Sequence, residues 1–154
     1  MGTFLPPPVP FHRFERPFGM TPRAFAAYAR ACDQARISPN RICQTVGNYP
    51  RSKGYHLQDG VLNGEPYCAA VDLAVNDLSP VQRDQFLESL ARCGFAAWYR
   101  SGPKWRFDEH VHAIYAGVPM KWQLREQVRQ WNSERRQSGH KPLRWEGNWR
   151  RLWA

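Results

Sequence analysis

The run Ala70-Val71-Asp72-Leu73-Ala74-Val75 constrains this chain more than any other stretch, because it is apolar on both sides of a single carboxylate. Its composition reads as a buried strand. An ionised Asp72 among Ala, Val and Leu is costly to bury unless a metal or a paired cation offsets it. Any fold that keeps this strand inside must bring such a partner to Asp72 from elsewhere in the chain.

Two segments can supply one. Phe107-Asp108-Glu109-His110-Val111-His112-Ala113 packs two carboxylates and two imidazoles just ahead of the β-prone run Val111 to Tyr115. Side chains alternate along a strand, so His110 and His112 share one face. Glu109, just before the strand, reaches that face only if the backbone bends or bulges there. Upstream, Tyr49-Pro50-Arg51-Ser52-Lys53-Gly54-Tyr55-His56 carries a third histidine and a nearby arginine.

The elements around these segments are legible from their end signals. Thr21 followed by Pro22 is a helix start, and Phe25, Tyr28, Ala29 and Cys32 predict one buried face on a helix running to about Ala35. Ile42 to Val46 reads as a short strand, and Leu57 to Glu65 as a loop marked by Asp59-Gly60 and Asn63-Gly64. Ser79-Pro80-Val81-Gln82 has the pattern of a capping box, with Phe86, Leu87, Leu90 and Ala91 on the apolar face and Gly94 closing the helix. Phe95 to Tyr99 is a further strand, and Lys121 to Gln137 a basic amphipathic helix that buries Leu124, Val128 and Trp131. The expected architecture is α+β: one domain over 1–154, with a small, mostly antiparallel sheet packed by helices. A Pro-rich arm over 1–19 wraps the body, and a Trp/Arg-rich tail occupies 141–154.

Composition narrows the class. With 42% hydrophobic residues and seven Trp, the chain has enough apolar surface for a core of its own. Lys and Arg number 22 against 13 acidic residues, a net charge of +9, which favours an anionic partner such as nucleic acid, an anionic membrane surface or a cell-wall polymer. No apolar run is long enough for a membrane span. Met1 to Pro10 has neither a basic n-region nor an apolar h-region, so the expected site of synthesis is the cytoplasm, with any release to the cell wall left to separate machinery. The four cysteines have no Cys-x-x-Cys spacing and are expected as reduced, buried thiols, Cys68 among them.

His56, Asp72 and His112 together offer two imidazoles and one carboxylate. That matches the three nitrogen and oxygen donors with which zinc hydrolases commonly hold their metal. The chain here resembles the zinc D,D- and L,D-peptidases, the group of D-alanyl-D-alanine dipeptidases and carboxypeptidases and of several phage endolysins. That family carries Ser-x-His-x-x-Gly-x-Ala-x-Asp and later Glu-x-x-His. The matching pieces are Gly54-Tyr55-His56, Ala70-Val71-Asp72-Leu73 and Glu109-His110-Val111-His112. One departure stands out: fifteen residues, 57–71, separate His56 from Asp72 where the family pattern has six.

The resemblance implies a hedgehog-like fold, a Zn2+ cofactor held by His56, Asp72 and His112, and Glu109 as general base. Arg51 becomes a group for a substrate carboxylate or the oxyanion. His110 is then the extra histidine, placed behind the ligands or at the surface. The implied substrate is peptidoglycan or another peptide containing D-amino acids, with the bond cut and the oligomeric state left open.

Each residue also has a plainer reading. His56 can be a solvated loop residue, Asp72 a carboxylate paired with an arginine, and Glu109 and His112 polar residues of a strand edge. Two other functions fit the same sequence. One is a zinc-binding relative without catalysis that acts as a cell-wall-binding module. The other is a basic nucleic-acid-binding protein that uses the Trp/Arg tail, a reading weakened by the absence of any nucleic-acid motif.

Overall fold

The β-prone run after Glu109 becomes the strand on which the sheet is assembled. The computed structural model describes residues 19–44, 59–62, 65–106 and 108–139. In chain order its elements are α1 (Pro22–Ala35), β1 (Ile42–Gln44), β2 (Gly60–Leu62), β3 (Glu65–Tyr67), β4 (Ala70–Leu73), α2 (Pro80–Arg92), β5 (Phe95–Arg100), a single 3₁₀ turn (Pro103–Trp105), β6 (His110–Tyr115) and α3 (Trp122–Gln137). Four strands form an open sheet in the order β1-β4-β6-β5 with every pair antiparallel, so the protein is α+β with a small antiparallel sheet. Every residue of β6 is buried, as expected for a central strand covered on both faces.

Alternation sorts the faces. Tyr99 pairs with Val111 and Trp98 with His112, so these two rows point to opposite sides of the sheet. The Tyr99 side carries α2, whose Arg83 guanidinium lies 3.9 Å from the Tyr99 ring centroid. The Trp98 side carries α3, whose Trp131 donates its indole N–H to the carbonyl of Ala97 at 2.9 Å and whose Gln127 reaches His112. Leu124, Val128 and Trp131 are buried on α3 as their spacing predicts. Each such apolar side chain taken fully from water contributes about 1.5–3 kcal/mol.

The helix ends follow their residues. The Thr21 hydroxyl accepts from the Ala24 N–H, and α1 stops where Arg36 takes a left-handed conformation at φ 57°. Its buried face is built from Ala24, Phe25, Ala27, Tyr28, Ala31 and Cys32, while Ala29 sits only half-buried at the margin. Ser79 and Gln82 close both halves of the capping box at α2, and Gly94 leaves the helix at φ 105°. Phe86, Leu90 and Ala91 are buried as expected, with Leu87 packed against the core from its edge. Cys32, Cys68 and Cys93 are buried and outside any disulfide, and burial pushes the Cys32 thiol up to about 12. A thiol so far above its ordinary value is inert as a nucleophile near neutrality.

One stretch departs from the expected loop. Gly60 to Leu62 and Glu65 to Tyr67 pair as a hairpin in the register Gly60↔Tyr67, Val61↔Pro66 and Leu62↔Glu65. The Asn63-Gly64 pair lies between the two strands, the short-range signal for such a hairpin, and the flanking runs were too short to show alternation. Asp59 anchors its base. Asp59 is 1% exposed, its Oδ2 accepts from the N–H groups of Ala69 (2.9 Å) and Ala70 (3.1 Å), and its Oδ1 lies 3.0 Å from Lys121 Nζ. Its own backbone donates to Tyr67 O and accepts from Lys121 N. The start of β4 is thereby tied to the segment that enters α3.

A second ion pair holds the other side of β4. Arg41, 6% exposed, grips both oxygens of Asp77 at 2.7 and 3.0 Å and also donates to the Ala74 carbonyl. The hydrogen bonds from Arg41 hold the Asp77 carboxyl below its usual range. A depressed carboxyl stabilises the fold above its unfolded pKa, about 3.9, and loses that contribution as pH falls through the lower folded value. Asp77 is largely solvent-exposed, so the effect is small. Wild type and Asp77→Asn should differ in urea stability at pH 7 and converge as pH falls below the lowered carboxyl pKa of Asp77. A constant difference down the whole range would remove the assignment.

Candidate functional site

The site begins with register. Asp72 of β4 lies directly opposite His112 of β6, which lies directly opposite Trp98 of β5, so one row of side chains crosses the sheet on the α3 face. Directly opposed residues in an antiparallel pair bring their Cβ atoms within about 4.5–5.5 Å. Asp72 Oδ1 is accordingly 2.9 Å from His112 Nδ1. The other ring nitrogen of His112 meets Gln127 Oε1 at 3.2 Å, and the Trp98 indole packs on the imidazole at a centroid distance of 5.9 Å. Asp72 thus meets an imidazole from the neighbouring strand.

His110 stands two residues back on the same face, opposite Arg100 in register and 4% exposed. Its Nδ1 is 2.6 Å from the carbonyl of Asp108, and its Nε2 points towards Asp72 Oδ1 at 3.7 Å. The edge of Trp105 meets the His110 ring at 5.2 Å and 88°. Arg100 and Lys104 lie over the same indole, each 5.2 Å from its centroid, so the rim of the site is cationic.

Glu109 is elsewhere. It accepts a hydrogen bond from the Tyr99 hydroxyl at 2.6 Å, and Tyr99 belongs to the row of Val111 on the α2 face. The side chain is therefore held away from Asp72 and His112, across the end of the sheet. The bond from Tyr99 to this carboxylate raises the phenol's pKa above its usual value, so the phenol stays protonated and keeps donating. Arg51 and His56 lie outside the described residues. Cys68 is fully buried in the core, as expected.

The donors near Asp72 are of a kind that suits zinc, two imidazoles and a carboxylate. Among the described residues, however, no group of three or more His, Cys, Asp or Glu side chains is arranged as a complete metal site. Any metal held by Asp72 would need donors from beyond the described residues, where His56 lies.

Three neighbours of the site had no signal in the sequence. Gln127 stands on α3, fifteen residues beyond His112, and meets it only through the packing of that helix on the sheet. Trp98 reaches His112 only through the β5–β6 register. Tyr99 meets Glu109 for the same reason. No helix among the described residues is long and apolar enough to cross a membrane. Comparison of the chain with protein-family models, with curated proteins and with solved structures finds no match in any of the three.

Proposed function

We propose that this chain is a zinc-dependent peptidase that hydrolyses peptidoglycan stem peptides or other peptides containing D-amino acids, on a hedgehog-like variant of the α+β fold. The observation that carries the reading is the in-register pair of Asp72 and His112 on one face of the sheet, 2.9 Å apart, with His110 beside them. A carboxylate only 13% exposed and set between imidazoles in an apolar strand is a costly arrangement for packing alone, and a metal is one reason to keep it. The ligands are Asp72, a histidine of β6 and His56.

A zinc bound there would supply a Lewis acid and lower the pKa of a coordinated water towards about 7. The protein's own groups do the rest. Glu109 takes the proton from the attacking water and returns it to the leaving amine, which requires the backbone ahead of β6 to bend so that its side chain exchanges the Tyr99 bond for the α3 face. Arg51 holds a substrate carboxylate with its planar guanidinium. Arg100 and Lys104 at the rim, with a net charge of +9 overall, draw an anionic wall polymer towards the site.

One observation favours a second reading, a zinc-binding relative that holds wall peptides without cutting them: the Glu109 carboxylate is engaged by Tyr99 on the far face. Metal content and amine release separate the two. Purified protein should carry about one zinc per chain, lost in Asp72→Ala and in His56→Ala, and should free amines from peptidoglycan. Zinc without amine release leaves the binding module. No zinc, and no stabilisation by added zinc, sinks both.

A further inference from the structure

We infer that Arg100 and Lys104 form a carboxylate subsite beside the Asp72–His112 row, so that the peptides taken there carry an acidic group within about two residues of the row. The inference names the substrate class of the proposed site and rests on that reading for the reaction.

The β5–β6 connection is built to hold two cations together. Gly102 takes φ 94°, a left-handed conformation that side chains disfavour, and Pro103 starts the 3₁₀ turn that follows. The Trp105 N–H donates to Gly102 O at 3.0 Å and the Asp108 N–H to Trp105 O at 2.8 Å, which closes the turn. The Arg100 guanidinium and the Lys104 ammonium then converge on the Trp105 indole, each 5.2 Å from its centroid. The ring attracts each cation, but the two positive charges repel one another.

Among the described residues no carboxylate pairs with Arg100 or Lys104. By contrast Arg41, Lys121, Arg129 and Arg135 are paired with Asp77, Asp59, Glu126 and Glu88. The acidic residues closest in sequence are turned to other partners. Glu109 is bound by Tyr99, and the exposed Asp108 meets His110 through its backbone carbonyl. An anion from outside would relieve the repulsion. A guanidinium offers it two parallel N–H groups, and the ammonium adds a further donor and a second charge.

The pair is also placed against the row. Arg100 lies opposite His110 and Trp98 opposite His112, so alternation puts Arg100 on the α3 face with Asp72. The indole that carries both cations meets His110 edge-on at 5.2 Å. A strand rises about 3.3 Å per residue, so Arg100 stands roughly 7 Å along the sheet from the row, which an extended peptide spans in about two residues.

The experiment is calorimetric binding of a short D-alanine-containing peptide to the full chain, at low and at physiological salt. The peptide is made in matched forms, with glutamate or glutamine as a side chain and with a free or amidated C-terminus. Wild type should bind at least one acidic form about 10-fold more tightly than the form with neither carboxylate, with the ratio falling as salt rises. The Arg100→Gln/Lys104→Gln double variant should bring that ratio close to one, and Arg100→Lys should recover part of it. Preference that follows the side chain assigns an acidic residue, and preference that follows the terminus assigns a free C-terminus. The wild-type ratio needs no variant, so a folding defect in the double variant does not blunt the test. Equal binding of all forms, or a preference that survives in a folded double variant, overturns the inference. Displacement of the peptide by oligodeoxythymidylate that binds more tightly, lost in the same variant, overturns it in favour of nucleic acid. Amine release without carboxylate preference leaves the peptidase reading standing alone, whereas carboxylate preference without amine release leaves the subsite and removes hydrolysis.

Discussion

Asp59→Ala should cost the fold about 3–5 kcal/mol, the range for removing one partner of a buried ion pair. The carboxylate is buried, Lys121 Nζ is 3.0 Å from Oδ1, and the N–H groups of Ala69 and Ala70 both donate to Oδ2. Alanine removes all three interactions at once, and two backbone donors at the entrance to β4 lose their acceptor. Each buried donor left unpaired costs about 1–3 kcal/mol by itself. For a chain of this size the loss corresponds to a fall in Tm of roughly 6–20 °C. Asp59→Asn keeps a carbonyl for the two N–H groups and should fall between the two. Lys121→Met should be milder, because the carboxylate keeps both backbone donors. Thermal and urea unfolding of the single and double variants measure the coupling. A loss below about 1 kcal/mol in Asp59→Ala would mean that the hairpin base does not depend on this group.

Asp59 also shows where sequence reading stopped. Beside Gly60 it has the look of a turn residue, and nothing in its neighbours announces a buried anion. Its role depends on Lys121, which lies 62 positions away (121 − 59) and is brought close only by tertiary packing. Local signals fared better because their cause is local. Thr21-Pro22 and Ser79 with Gln82 set their helices through hydrogen bonds within one turn, and the positions of both starts were legible. The strands β4, β5 and β6 were legible from composition. Their order and register were not, since those depend on which apolar faces meet.

The same limit runs through the site. Asp72 was conspicuous as one carboxylate in an apolar strand, and period-two alternation was enough to place His110 and His112 on a common face. That Asp72 lies opposite His112 is a fact of the β4–β6 register. The partners of the two histidines depend on the carbonyl of Asp108 and the amide of Gln127, and spacing alone cannot read either. A Glu three residues before a His points to a shared site only if both side chains leave the backbone on one side. Here the strand begins at His110, and alternation extended back by one residue puts Glu109 with Val111.

That placement yields the sharpest functional prediction. Glu109→Gln should reduce peptide hydrolysis by about 10²–10⁴-fold, the usual contribution of a positioned general base, with zinc content unchanged. Tyr99→Phe should act in the other direction. Phenylalanine keeps the ring under the Arg83 guanidinium but removes the hydroxyl that donates to Glu109 at 2.6 Å. The carboxylate then no longer gives up a hydrogen bond worth about 1.5–3 kcal/mol when it leaves the α2 face. If that bond limits the population of the active conformation, kcat should rise by up to roughly 10–100-fold, because every 1.4 kcal/mol is a factor of ten. KM should stay near the wild-type value, since Tyr99 is on the face away from the proposed ligands. Steady-state kinetics on a defined stem peptide, with zinc content measured on the same samples, reads both effects. An unchanged rate in Glu109→Gln would remove Glu109 as the base, and a loss of activity in Tyr99→Phe would mean that the Tyr99 bond is part of the working geometry rather than a restraint on it.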